Sequence, residues 1–568
     1  MIICHLIFLF SYFFYYYIFF KNTGQILYPV YLFPLIIYTI ILLLSFYFKI
    51  IFKVNLKKIF NDFSKFLFIF ILLFLTPFFL KVNIPQPHNF VLRKLEIFAG
   101  VTYIICLTAI IIYALNALKE KIKDKYNDKK FLFKNIFVIF FIFYFFISLW
   151  LNYVNQPTGD EPIYLLVSHS IVFDRDIDLK NNYENKDYKR FYLNRELKSQ
   201  EIEIYGKLFS YHPFFYSLLI SPFYFAGGRL GVTIFSNFLS ALFIGFLFLL
   251  LFEISDNKKM VFLMTIFSGF SMPFIMYINQ ICTEVLNGLL ILMSFYLILY
   301  NKNKLLFIVL CVALMPWTHF RNFIIWIFII LIFIIENRNE TLKILKFVFV
   351  QIISIFSLFI FNYMHYKVLI PRQTKEEIAF FDAFKLRLDG MLGLFLDQEF
   401  GLFFYTPLFI FIFAGFYFLY KENRKIFYYM SMLFLPYYLF ISSWTLWNGG
   451  GGASNRFLIP VFFIFVILIF SVFNNLKDKI LKNIFYTGLI LNFLFSFIII
   501  SIPWFRWNKG FGENWILKII SDIIKINISD LFPSLWYQPQ NNIIQIIIWI
   551  LLISFINIFI IIRNSRYE

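Results

Sequence analysis

Long apolar runs alternate with polar interruptions along the whole chain, and the runs have the length of membrane-crossing helices. A helix spanning the hydrocarbon core needs about 20 mostly apolar residues, with a range of about 17–25. Such runs fall near 2–20, 26–48, 65–80, 96–118, 131–152, 231–252, 260–279, 285–300, 305–318, 322–336, 345–366, 401–420, 426–443, 457–474, 484–503 and 543–562, about sixteen in all. Three polar stretches, 153–230, 367–400 and 504–542, are too long for plain connectors, because structureless loops beyond about 12–15 residues are uncommon and often functional. The pattern predicts an all-α polytopic membrane protein, about 16 transmembrane helices with interfacial helices in its outer loops. It has three parts: a four-helix unit over 1–130, a core over 131–503 whose first outer loop is 153–230, and an outer segment with the last span over 504–568. The first run lacks a positive leader and a small-residue cleavage site, and Lys21 follows it, so it reads as a span and not as a signal peptide.

Composition narrows the class. Of 568 residues, 61% are hydrophobic and 15% charged, against about 45–50% and about 25% in globular domains, which excludes a soluble enzyme. Cys4, Cys106, Cys282 and Cys311 all lie in apolar stretches, where a small buried hydrophobe is the ordinary role. The net charge of +19 would suit nucleic acid, but the basic residues sit in short loops between apolar runs. Clusters at 49–65, 119–134, 258–259, 302–304, 421–425 and 563–566 all fall on one side of the alternation. By the positive-inside rule that side is cytoplasmic. Both termini are then cytoplasmic, in the cytoplasmic (inner) membrane, and the long polar segments face away from the cytoplasm, where the site belongs. Phe (86), Ile, Lys and Asn all draw on AT-rich codons, so an aromatic or lysine stripe says little about function here.

Candidate chemistry clusters at the outer ends of the runs. In Gly159-Asp160-Glu161-Pro162 the proline suits the start of a helix, and Glu161, extended before it, is expected to be the N-cap. Ile163, Leu166, Val167 and Ser170 then form one face of a helix lying in the membrane surface. Adjacent carboxylates point apart, so one of Asp160 and Glu161 faces a cavity and the other caps; an ordinary helix cap with loop charges is the plainer reading. Asp174, Asp176 and Asp178 alternate as metal ligands can, but lack the glycine and distal glutamate of a calcium loop, which favours solvated surface. His212, before Pro213, suits a phosphate or sugar hydroxyl, or simply a turn. The apolar run 214–226 after it is too short to span and reads as re-entrant or interfacial. Glu284 sits in a tight turn at membrane depth, where a carboxylate usually faces a cavity or a partner. His319 and Arg321 lie between two runs of about fourteen residues, short for the bilayer, and so are expected to be sunken; an arginine there can grip a phosphate bidentately or snorkel to headgroups. The loop WTLWNGGGGASNR from Trp444 ends in Arg456, and its four glycines admit backbone approach to a ligand or a flexible hairpin. It lacks the Gly-Lys-Ser/Thr ending of a nucleotide loop.

With these residues in place, the chain resembles the GT-C superfamily of membrane glycosyltransferases, which includes protein mannosyltransferases and the aminoarabinose transferase of lipid A. The resemblance rests on TGDEPIYLL at Thr158, the His212-Pro213 stretch, Glu284, LDQEFGLFFYTP at Leu396 and WNGGGGASNRFLIP at Trp447, over roughly 135–470. Two features depart from it: about four helices precede the acidic loop, and the 504–542 segment is no obvious counterpart of a soluble lectin-like domain. The resemblance implies a polyprenyl-phosphate-linked sugar donor, a lipid or glycan acceptor, and inverting displacement with Asp160 as general base. It implies that Glu161 or Glu284 orients the acceptor or holds a divalent cation. Arg321 and Arg456, helped by His319 or His212, would offset charge on the leaving phosphate. A transporter or flippase of polyprenyl lipids and a glycan ligase are the alternatives; crowding of the polar candidates at the outer ends, with no internal repeat, favours surface chemistry. No nucleic-acid partner is expected.

Overall fold

In the computed structural model the chain divides into two units, Met1–Leu132 and Phe133–Glu568. The described residues are 128–568 apart from 194–195, 200, 371–386, 509, 538–541 and 566–568. The spans expected at 2–20, 26–48, 65–80 and 96–118 lie outside them.

Among the described residues, seven helices are long and apolar enough to cross a membrane: Lys129–Asn152, Phe214–Ile254, Thr341–Tyr366, Arg424–Ser443, Arg456–Asn475, Lys479–Ser501 and Ile543–Ser565. Three shorter apolar helices, Glu284–Tyr300, Leu305–Thr318 and Asn322–Glu336, accompany them. The protein is therefore a helical membrane protein, but two expected spans are not continuous. The run 260–279 breaks after Lys258–Phe270, where Ser271 is extended and Pro273 precedes the short helix Phe274–Tyr277. The run 401–420 breaks at Thr406-Pro407 into Leu402–Tyr405, a 3-10 turn Pro407–Phe411 and Ile412–Glu422. In each case proline removes a backbone donor and pushes the residue before it out of the helical region; high apolarity hid both breaks. The arm at 214–226 is helical and runs into the following span through non-helical backbone at Gly227 and Gly228, the latter at φ +57°, a conformation that suits glycine.

The fold is not purely helical either. Ile202–Ile204 pairs antiparallel with Lys207–Phe209, and the two residues between them, Tyr205 and Gly206, have φ +50° and +77°. Two left-handed residues make the tight turn that matches strand twist.

Burial orders the bundle. Every residue from Phe462 to Phe473 is buried, as expected of a helix that is apolar all round and sits at the centre. Packed on it are Ile412–Glu422 and Lys258–Phe270, and Gly415 lets the first approach so closely that a Cβ there would meet the Leu468 carbonyl carbon at 2.7 Å. Small residues let helices approach in this way. In contrast, Thr341–Tyr366 and Ile543–Ser565 leave most of their apolar side chains uncovered, as lipid-facing helices do.

The basic loops gather at one end. Glu336 takes Lys302 at 3.1 Å and Lys425 at 2.7 Å, and Tyr429 donates to it at 2.6 Å. Arg563 meets the buried Asp478 at 2.7 Å, and Asp478 also caps the helix Lys479–Ser501.

Gly415→Val is expected to cost about 1–3 kcal/mol by overpacking, read as a lower unfolding midpoint of the detergent-solubilised chain. Gly488→Val is the softer control, because the atom nearest a Cβ there is the end of the Leu408 side chain.

Candidate functional site

The loop after the first described helix turns at Gly159, with φ +59°, and Asp160 occupies the N-cap position in helical backbone without making a side-chain cap bond. Glu161 opens the helix Glu161–His169, and Pro162 follows it. Two expectations are corrected here. Glu161 is not the cap, because it is already helical. Nor does its helix offer an apolar face to lipid: all nine of its residues are buried. The 214–226 arm covers it, with Ser168 Oγ donating to the Ser217 carbonyl at 3.0 Å and Ser217 Oγ to the Tyr164 carbonyl at 3.2 Å.

The two adjacent carboxylates point to different surroundings. Glu161 turns inward. Its Oε2 accepts from the Thr158 N–H at 3.1 Å and its Oε1 from the Ile281 N–H at 3.0 Å, with Arg229 Nη2 3.9 Å away. It thereby ties the Asp160 loop to the 279–284 turn that carries Glu284. Burial raises its carboxyl above the ordinary glutamate value, although Arg229 and the two N–H groups pull it down.

Asp160 turns instead to a chain of alternating charges. Arg456 Nη1 lies 2.6 Å from its Oδ2, and His212 Nε2 lies 3.9 Å from its Oδ1. Arg456 Nε is 3.6 Å from Glu284 Oε1, the same oxygen that Arg321 Nη2 reaches at 3.0 Å. Arg321 in turn donates from its backbone N–H and its Nε to His319 Nδ1 at 3.1 and 3.3 Å, and its guanidinium lies 3.8 Å from the Phe457 ring centre. Asp160, His212, Glu284, His319, Arg321 and Arg456 thus converge from separate stretches of sequence. Glu161 stands apart from them.

Charge sets the protonation of this cluster. Burial would raise the Asp160 carboxyl, but Arg456, then His212 and Arg321, outweigh it and hold the group well below the usual aspartate range. Burial lowers His212, with Asp160 opposing. His319 is driven well below its usual value by burial, reinforced by Arg321 and Arg456. It is neutral, and since Nδ1 accepts from Arg321, its proton sits on Nε2. Within this cluster three buried nitrogen positions have no hydrogen-bond partner: His212 Nε2, Arg321 Nη1 and Arg456 Nε. Buried polar groups are normally satisfied, so open donors around two guanidiniums suit an anion with several acceptor oxygens.

A second group of residues, missed in the sequence, holds the glycine loop. Ala453 donates to the Arg506 carbonyl at 2.8 Å and Asn508 to the Gly451 carbonyl at 2.7 Å. Gly449 and Gly450 have φ +74° and +93°; Gly451 and Gly452 leave room for Asn508 and Tyr277. Much of the glycine run therefore serves packing within the chain. The fully buried Arg506 donates to the Met276 carbonyl at 3.1 Å and to Asn279 Oδ1 at 3.0 Å. A lone arginine in Trp504-Phe505-Arg506-Trp507 was the available signal. Glu399 accepts from the Gly510 and Gly512 N–H groups at 3.1 and 2.8 Å, and Asp397 from those of Glu399, Phe400, Leu535 and Trp536. The LDQEFG stretch is a clamp on the 505–537 segment.

The acidic triplet is structural. Asp174 Oδ2 accepts from Asn181 and Asn182, Asp176 Oδ1 from Ser170 and the Asp178 N–H, and Asp178 Oδ1 from the Lys180 and Leu208 N–H groups. Among the described residues no group of three or more His, Cys, Asp or Glu is arranged to hold a metal. Glu161 and Glu284 are committed to N–H and guanidinium donors, and do not form a seat for a divalent cation.

Burial raises Glu399 from 4.5 to about 7, with Asp397 adding to the rise against the two glycine N–H groups. The folded carboxyl keeps its proton to higher pH than the unfolded one, so folding stability falls as pH rises from about 4.5 to about 7 and levels off above. Protection factors of the 510–514 amides, corrected for the intrinsic pH dependence of exchange, are expected to fall across that window, and Glu399→Gln to flatten the fall.

Compared with known proteins, the chain matches no family model, no curated protein and no solved structure.

Proposed function

We propose that the chain is a membrane glycosyltransferase that moves a sugar from a polyprenyl-phosphate carrier to a hydroxyl acceptor, on the face of the membrane opposite its basic loops. The observation that supports this most is the Asp160–Arg456–Glu284–Arg321 alternation, bordered by three donors without partners. It combines a carboxylate able to take a proton with guanidiniums able to hold a phosphate, which matches what the resemblance to GT-C enzymes implies.

In this reading the phosphate enters between Arg321 and Arg456. Arg456 exchanges Asp160 for phosphate oxygens, and the freed carboxylate becomes a stronger base. The acceptor oxygen attacks the anomeric carbon as its proton passes to Asp160. The bond from that carbon to the phosphate oxygen breaks, configuration inverts, and polyprenyl phosphate leaves with its charge met by the two arginines. Neutral His319 holds the Arg321 guanidinium in place. Glu161 acts at a distance, through the spacing of the Asp160 and Glu284 loops.

General base help contributes about 10²–10⁴-fold, and one lost charge-stabilising donor costs about 10²–10³-fold in turnover. Asp160→Asn is expected to leave a folded, membrane-inserted protein whose single-sugar transfer falls by the first factor; Arg321→Ala falls by the second, with a higher KM for donor. Mass spectrometry of glycans and lipids, from cells with and without the gene and then from reconstituted vesicles, identifies the substrates and scores both variants. Near-normal transfer by Asp160→Asn overturns the assignment. An inactive Arg321→Ala beside an active Asp160→Asn moves the reading to a glycan ligase.

A further inference from the structure

The segment between the last two spans holds a helix with dissimilar sides, Trp515–Ile524. At 3.6 residues per turn, its apolar residues (Trp515 to Leu517, Ile519, Ile520, Ile523 and Ile524) fill one half of the circumference, and Lys518, Ser521 and Asp522 the other. The protein covers only the first turn. Ile516 and Leu517 are buried, whereas Ile520, Ile523 and Ile524 are 39%, 67% and 46% exposed, and Ile526 and Leu531 just beyond are 65% and 64% exposed. Exposed apolar residues grouped in this way mark a contact surface.

The last span fixes the depth of that surface. Its helix begins at Ile543, yet Trp549 Nε1 donates to the Leu531 carbonyl at 2.9 Å, Gln545 Nε2 reaches the Asp530 carbonyl at 3.3 Å, and the Phe532 ring lies 5.2 Å from that of Trp549. Trp549 is about 9 Å along the helix axis from its start. The 526–532 turn therefore runs down the flank of a span whose other neighbours are largely uncovered isoleucines and leucines.

The geometry points to a second contact with the bilayer: Trp515–Ile524 and the turn after it lie in the headgroup–acyl boundary, with the isoleucines among the lipid chains and Asp522 and Lys525 in water. The partner is the lipid surface itself. Continuity with the lipid-facing last span, along whose first two turns the 526–532 turn is pinned, selects it, and amphipathic helices of this kind bury their apolar face at that boundary. The inference is independent of the glycosyltransferase reading.

The test uses the full chain in phosphatidylcholine–phosphatidylglycerol vesicles, with its four cysteines replaced by alanine and a bimane label at Ile523→Cys or Asp522→Cys. Lipids spin-labelled near the headgroup are expected to quench the Ile523 label several-fold more than the Asp522 label, with aqueous iodide giving the reverse order. Iodide quenching of both labels alike overturns the inference. So does an Ile523 label shielded from iodide and from spin-labelled lipid together, which would place a second protein chain there. The unmodified chain gives an independent readout: a diazirine-bearing phosphatidylcholine is expected to crosslink within 519–531, and crosslinks confined to the long helices overturn the proposal.

Discussion

Opposite charges brought together where water is scarce constrain this molecule: the Glu284 and Arg321 side chains are 2% and 12% exposed, those of Arg456 and Asp160 21% and 25%. A single ionised group inside such a bundle is costly, and removing one partner of a buried pair leaves an uncompensated charge worth about 3–5 kcal/mol. Asp160, Arg456, Glu284 and Arg321 meet this constraint in series, with alternating sign, so that Arg456 and Glu284 each lie between two opposite charges. Asp160 and Arg456 are 296 residues apart, so the folding of the whole second unit serves to close that series. The helix that follows Arg456, buried from Phe462 to Phe473, anchors one member, and the Glu161 tie between two loops fixes the spacing of two others.

The candidate site could be read from the sequence because charged residues in nearly uniform apolar surroundings stand out. Asp160, Glu284, Arg321 and Arg456 are conspicuous for that reason alone, as are the histidines beside Arg321 and Pro213. Their partners could not be read, since spacing along a chain says nothing of which loops meet. Glu161 shows this limit: the sequence separated it from Asp160 and made it the helix cap, while its side chain reaches the Ile281 N–H in a loop 120 residues away. The amphipathic pattern misled in the same way. Ile163, Leu166 and Val167 suggested a surface helix, but all nine residues of that helix are buried, under the 214–226 arm and the segments after it. Apolarity also concealed the breaks at Pro273 and Pro407, because hydropathy averages over a run and does not register a missing N–H.

The C-terminal segment belongs with the site as much as the acidic loop does. Its 506–508 stretch lies along the glycine loop that leads to Arg456, and Arg506 reaches the turn leading to Glu284. Two carboxylates, Asp397 and Glu399, hold that segment through backbone N–H groups, a device that needs no matching side chains and so leaves little trace in sequence.

The two helices flanking Arg321 have a consequence for the surrounding lipid. Leu305–Thr318 and Asn322–Glu336 have 14 and 15 residues, about 21–22 Å of helix against a hydrocarbon thickness of about 30 Å. Leu306, Phe307, Ile327 and Leu331 on them are exposed, so lipid must meet this shortened wall. Hydrophobic mismatch of that size is relieved by local thinning of the bilayer. A leaflet that thinned beside Arg321 would lower the headgroup of an arriving lipid toward the guanidinium before a single protein atom had moved.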